Sequence, residues 1–177
     1  MIDAKEYAKA LFLLTEEEKT TENVLKELET VKKLLCENPR YIKLLDTPAL
    51  VKEEKLLLID KAFSSFDGNL LNFIKLLCEK HAVYQIPRAC DAYAAFYDEA
   101  YGVERVEAVT AVPMTAVQIS KMTEKLAMLT GKTIVIRNTV DPAVLGGVIL
   151  RYSGKQLDGS LKARLDRFEK SLKGIVI

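Results

Sequence analysis

Near Gly102 the chain changes its hydrophobic period, and that change limits the folds open to it. Upstream, apolar residues recur three and four apart, the spacing of one helix face. Downstream, β-branched runs alternate with other types, the spacing of a half-buried strand. Helical and strand patterns segregated along one chain predict an α+β fold: an N-terminal six-helix bundle followed by a small C-terminal mixed α/β domain. Charge divides at the same place. Through Arg105 there are 15 basic and 19 acidic residues; beyond it there are 11 and 6, although the whole chain carries only +1. The expected domains are residues 1–104 and 105–177, joined near Gly102–Arg105.

The first part divides into short helices with clear stops. Asp3 and Glu6 have capping-box spacing, with Asp3 expected to accept from the backbone three residues on. Tyr7, Leu11 and Leu14 follow as one stripe, extended by Ala4 and Ala8. A second helix after Thr21 places Val24, Leu28, Val31 and Leu35 on one face. Asn38-Pro39 ends it and opens a third, with Tyr41, Ile42, Leu44 and Leu45. Thr47-Pro48 breaks the chain again before a fourth helix carrying Lys55, Leu56, Ile59 and Phe63. Asp67-Gly68 is a turn, after which Asn69 can cap a fifth helix bearing Leu70, Phe73, Ile74 and Leu77. A sixth starts near Pro87 and stacks Ile86, Cys90, Tyr93, Tyr97 and Tyr101.

In the second part, residues 103–112 form an expected strand that Pro113 ends. A helix over 115–129 turns Val117, Met122, Leu126 and Leu129 inward. Strands follow over 133–140 and 145–152, the latter containing Gly146-Gly147, and 155–157 can pair back. The strand-helix-strand unit favours a parallel pair and the short links after it favour antiparallel ones, so the sheet is expected to be mixed. Asp158-Gly159-Ser160 starts a last helix with a seam of Leu161, Leu165, Phe168 and Leu172 and a basic side of Lys162, Arg164, Arg167, Lys170 and Lys173.

No catalytic constellation emerges. One histidine, His81, and three scattered cysteines, Cys36, Cys78 and Cys90, make a poor zinc inventory. The cysteines read as small buried hydrophobes in a reducing compartment. Gly131-Lys132-Thr133 ends like a phosphate loop, but position 126 is Leu where that loop needs Gly. A helix also precedes it and a strand follows, the reverse of the required order, so Gly131 reads as a helix cap. The N-terminus lacks the apolar stretch of a secretory signal. No apolar run reaches the roughly 20 residues of a membrane span, and a soluble, cytoplasmic protein is expected. These features point to an interaction protein without a cofactor.

Tyr7-Ala8-Lys9-Ala10-Leu11-Phe12, Pro48 with Lys55 and the apolar run after it, and residues 72–87 resemble the delta subunit of F-type ATP synthase, whose mitochondrial counterpart is the oligomycin sensitivity conferring protein. So does the C-terminal set: Val144, Leu145, Gly146 and Gly147 before an apolar strand, then Gly154, then Asp158-Gly159-Ser160, then Arg164-Leu165. The chain departs from the family at Lys80 to Val83, where an arginine is common. The resemblance implies a non-catalytic stator subunit, present in single copy at the cytoplasmic face of the cell membrane without inserting into it. It implies that the bundle holds the N-terminal helix of the alpha subunit and that the C-terminal domain holds the C-terminus of the b subunit. In the family the alpha groove lies between the first and fifth helices, here offering Tyr7, Ala8, Leu11 and Phe12 opposite Leu70, Phe73, Ile74 and Leu77. Those residues can equally serve as bundle core. An unrelated helical adaptor is a second reading of the residues. A nucleic-acid-binding protein using the basic second part is a third, weakened by the lack of interleaved aromatics.

Overall fold

The computed structural model describes residues 3–47 and 50–165. The element order is α1 (Ala4–Glu17), α2 (Thr21–Glu37), α3 (Pro39–Asp46), α4 (Lys52–Phe63), α5 (Gly68–Glu79), a 3-10 turn (Val83–Gln85), α6 (Ile86–Ala100), β1 (Val103–Thr110), α7 (Ala116–Thr130), β2 (Thr133–Val140), β3 (Val148–Tyr152) and β4 (Lys155–Asp158). The fold is α+β, and the chain divides into two compact units, Met1–Glu99 and Ala100–Ile177.

In the first unit the amphipathic stripes of the helices meet in one core. α5 is its centre, packed against α1 and α4, with Leu70, Ile74 and Leu77 fully buried. α1 turns Ala8, Leu11, Phe12 and Thr15 inward. Phe12 meets Tyr93 of α6 edge-on, ring centres 5.6 Å apart. The Tyr93 hydroxyl lies 2.7 Å from Thr15 Oγ1, a polar pair buried without cost because both hydroxyls find partners. The helix starts differ in detail from the sequence expectation. Asp3 accepts from Lys5 N at 2.9 Å, one residue nearer than a capping box requires. Asp67 caps α5 by accepting from Asn69 N at 2.8 Å, so the helix begins at Gly68 and Asn69 lies inside it. Leu14 is exposed, as is Cys36 on α2, while Cys78 and Cys90 are buried.

In the second unit four strands run in the order β2-β1-β3-β4. β1 and β2 are parallel, in register from Val103 opposite Thr133 to Thr110 opposite Val140, as the intervening helix demands. β3 lies antiparallel to β1, and β4 antiparallel to β3. Val106, Ala108, Ile134 and Leu150 form the sheet's buried face, and Met122 and Leu126 of α7 pack on it.

Two inward residues of the α7 expectation are exposed instead. Val117 stands about 140° round the helix from Met122, at 100° per residue, and Leu129 lies in the last turn. The third strand starts at Val148 and not at 145, because Gly147 adopts φ +85°, outside strand geometry. Leu161 and Leu165 are both exposed and form no closed seam. Phe168, Leu172, Arg167, Lys170 and Lys173 lie outside the described residues.

Candidate functional site

α1 and α5 pack as neighbours but leave a cavity of about 250 Å³ along their outer sides. One wall is Tyr7, Ala10, Leu11 and Leu14; the other is Asn69, Asn72, Phe73 and Leu76. Each wall advances by i, i+3, i+4 and i+7, so two helix faces lie side by side with a trough between them. Leu11 and Phe73 are buried and make the floor, while Leu14 and Leu76 stand at the rim, each more than a third exposed. Asn69 Nδ2 donates to Glu18 Oε2 at 2.6 Å and pins the start of α5 to the end of α1. On its far side, α5 is held to α4 by the ion pair of Lys75 and Asp60 at 2.5 Å. An apolar trough with fixed walls and polar Asn69 and Asn72 at its edge suits an amphipathic helix, whose anchors recur at the same spacing.

The eight groove residues named from sequence divide in two. Tyr7, Leu11 and Phe73 line the trough. Ala8, Phe12, Leu70, Ile74 and Leu77 face the core and are buried there. Phe12 packs on Tyr93 and Phe96 of α6. Ala10, Leu14, Asn69, Asn72 and Leu76 complete the walls and were not among the eight. Of these, only Leu76 had a signal in the sequence: with Leu70, Ile74 and Leu77 committed to the core, it is an apolar side chain of α5 left over.

The C-terminal motif residues meet one another. Gly159 N donates to Val148 O at 3.0 Å, and Leu161 N donates to Gly146 O at 2.9 Å, so the Asp158-Gly159-Ser160 segment lies against the double glycine. A Cβ on Gly147 would stand 2.5 Å from Gly159 O and 2.9 Å from Ser160 Cα, contacts that real structures do not tolerate. Asp158 Oδ1 accepts from Ser160 N at 2.9 Å, and Ser160 Oγ accepts from Ala163 N at 3.2 Å, which starts the helix at 161–165. Gly154 (φ +72°) and Ser153 (φ +43°) make the tight β3–β4 turn. Arg164 and Leu165 are exposed at the end of the described residues.

Lys132 does not face an anion site. Its Nζ lies 2.7 Å from Glu104 Oε2, and Ser153 Oγ donates to the other Glu104 oxygen. The hydrogen bond from Lys132, with that from Ser153, holds the Glu104 carboxyl below its ordinary pKa. Gly131 takes φ +68° and closes α7, donating to Ala127 O at 2.8 Å. Among the described residues no group of His, Cys, Asp and Glu is placed to hold a metal, and no helix is long and apolar enough to cross a membrane.

A family model described as ATP synthase delta (OSCP) subunit matches residues 4–172. A Clostridioides difficile protein named ATP synthase subunit delta is 34% identical over 175 residues, covering 98% of this chain and 97% of that protein. A protein of the same name from Geobacillus sp. is 33% identical over 174 residues, covering 98% of each. In fold, the chain is similar to one in the cryo-EM structure of the Toxoplasma gondii mitochondrial ATP synthase hexamer, with a TM-score of 0.73 at 24% identity over 97% of this chain and 98% of that one.

Proposed function

Because the chain belongs to the ATP synthase delta (OSCP) subunit family, we propose that it is the non-catalytic stator subunit joining the catalytic head of a rotary ATP synthase to its peripheral stalk. Rotation of a central shaft drives synthesis only if the head is kept from turning with it. The subunit's task is to hold two partners under load, and its parts are docking surfaces.

The observation that carries this reading is the trough between α1 and α5, whose walls share the i, i+3, i+4, i+7 spacing that a helix in a groove requires. In this reading the six helices of the N-terminal unit act as one bundle, and the alpha subunit's N-terminal helix lies in the trough. Leu14 and Leu76 grip its apolar stripe, and Leu11 and Phe73 sit beneath it. The C-terminal unit holds the end of the b subunit. One copy serves each complex, at the cytoplasmic face of the cell membrane and outside the bilayer.

Affinity purification of the tagged chain from its own host tests the proposal. Alpha and b subunits should be recovered with it, at one copy of this chain per complex. Recovery without any ATP synthase subunit, from cells that express the enzyme, contradicts it.

A further inference from the structure

The N-terminal unit holds another cavity, of about 310 Å³, where the start of α4 meets the end of α5. Leu50, Leu56 and Cys78 give it apolar walls, and His81, just past α5, stands beside them. Lys55 lines it as well. That lysine occupies the core face of α4, one and two turns before Ile59 and Phe63, and is only 5% exposed. A lysine ordinarily keeps its ammonium group in water or against a carboxylate.

Lys55 has no such partner here. Among the described residues its Nζ makes no hydrogen bond and no ion pair. The acid in the cavity wall, Glu79, is held by Lys52 at 3.1 Å. Asp46 of α3, whose charge is felt at Cys78, does not line the cavity. Lys52 and Glu79 offset one another, which leaves Lys55 as the cavity's uncompensated cation. Burial raises the Cys78 thiol above its ordinary pKa, so at pH 7 it is a neutral part of the wall. The start of α4 adds to the same field. Its N-cap, Val51, supplies no side-chain acceptor, and Glu53 and Glu54 of the first turn are exposed and outside the cavity wall. Uncapped amide groups at a helix N-terminus favour an anion nearby.

We propose that this cavity binds a small monocarboxylate with a short apolar body, its carboxylate on Lys55 Nζ and its hydrocarbon against Leu50, Leu56 and Cys78. One uncompensated cation suits a single negative charge. The apolar walls favour a hydrocarbon tail over inorganic phosphate, which would leave them uncovered. A volume of about 310 Å³ lies at the small end of ligand pockets, roughly 300–1,000 Å³, and so limits the length of the tail. The bound carboxylate gives the buried ammonium the partner that the chain withholds, and removal of an ammonium from water is costly without one. The proposal is separate from the stator reading and from the α1–α5 trough, whose walls share no residue with this cavity.

His81 is the chain's one histidine, so its imidazole proton signals report on this cavity without overlap. NMR titration of the full chain at fixed pH tests the proposal with hexanoate, hexanol, hexylammonium and inorganic phosphate. Hexanoate should shift the His81 signals saturably. Hexanol should bind roughly tenfold more weakly, and hexylammonium and phosphate should leave the signals in place. Lys55→Met keeps a long unbranched side chain and removes the charge. It should bind hexanoate roughly tenfold more weakly than wild type and hexanol equally well. Lys61→Met, at an exposed position of the same helix, should change neither. No saturable shift with hexanoate overturns the proposal. So does hexanol or phosphate binding as tightly as hexanoate, and so does a folded Lys55→Met variant that keeps full hexanoate affinity. The wild-type comparison of hexanoate with hexanol decides the question even if Lys55→Met fails to fold.

Discussion

Gly147 and Gly159 approach so closely that a Cβ on the first would lie 2.5 Å from the carbonyl oxygen of the second. This contact joins two sequence motifs that stand apart in the chain, and it sets where β3 begins and where the helix after Ser160 starts.

Gly147→Ala should therefore destabilise the C-terminal unit by roughly 2 kcal/mol or more, from positive φ and backbone collision together. Gly146→Ala is the control. Its Cβ would meet Leu161 Cδ1 at 2.8 Å, but that side chain is half exposed and can rotate away, so the cost should be less than about 1 kcal/mol. Denaturant unfolding of both variants checks the ranking, and equal costs would contradict this account of the motif.

The Glu104 carboxyl, bonded to Lys132 and Ser153, titrates below its ordinary value of 4.5 when folded. A lowered folded-state pKa contributes stability that is fully present above the unfolded value and is lost as pH falls through the folded value. The stability difference between wild type and Glu104→Gln, measured by urea unfolding from pH 7 to 3, should be widest above about pH 5 and close below it. A difference that does not change with pH would show that the pair contributes nothing through charge.

Burial pushes the Cys90 thiol up to about 12 and raises Cys78 as well, whereas Cys36 is exposed. Only thiolates react readily, so a maleimide at pH 7 should label Cys36 promptly and the other two only on unfolding. Mass spectrometry of the labelled native chain should find one adduct, and three prompt adducts would contradict the packing of α5 and α6.

Much of the architecture was legible because its periods are strong. β2 was expected over 133–140 and is found as Thr133–Val140, and the strand-helix-strand unit gave the parallel pair it implied. The face of a helix was harder to read where both sides are apolar. Leu76 and Leu77 are adjacent in sequence, yet one is at the rim of a groove and the other has no exposed surface. Periodicity located the stripes of α5 but did not say which would meet the core, since that depends on how α1 and α4 pack around it. The double glycine stood out inside an expected strand, but that the backbone of Gly159 lies against Gly147 required the fold. The trough's polar edge, Asn69 and Asn72, carried no sequence signal beyond ordinary helix-surface residues.

The central claim is that the outer trough of α1 and α5 grips the alpha subunit's N-terminal helix, and calorimetric titration of the full chain with a peptide of that helix tests it most directly. Leu76→Asp, on the partly exposed rim, should leave the chain folded and cost no more than about 2 kcal/mol of urea stability. It should also weaken the peptide by about 2 kcal/mol or more, roughly 30-fold. Ile74→Ala, in the core, should instead lose about 2–5 kcal/mol of stability. Unchanged peptide affinity in a folded Leu76→Asp variant would contradict the claim and move the alpha-subunit contact away from this trough.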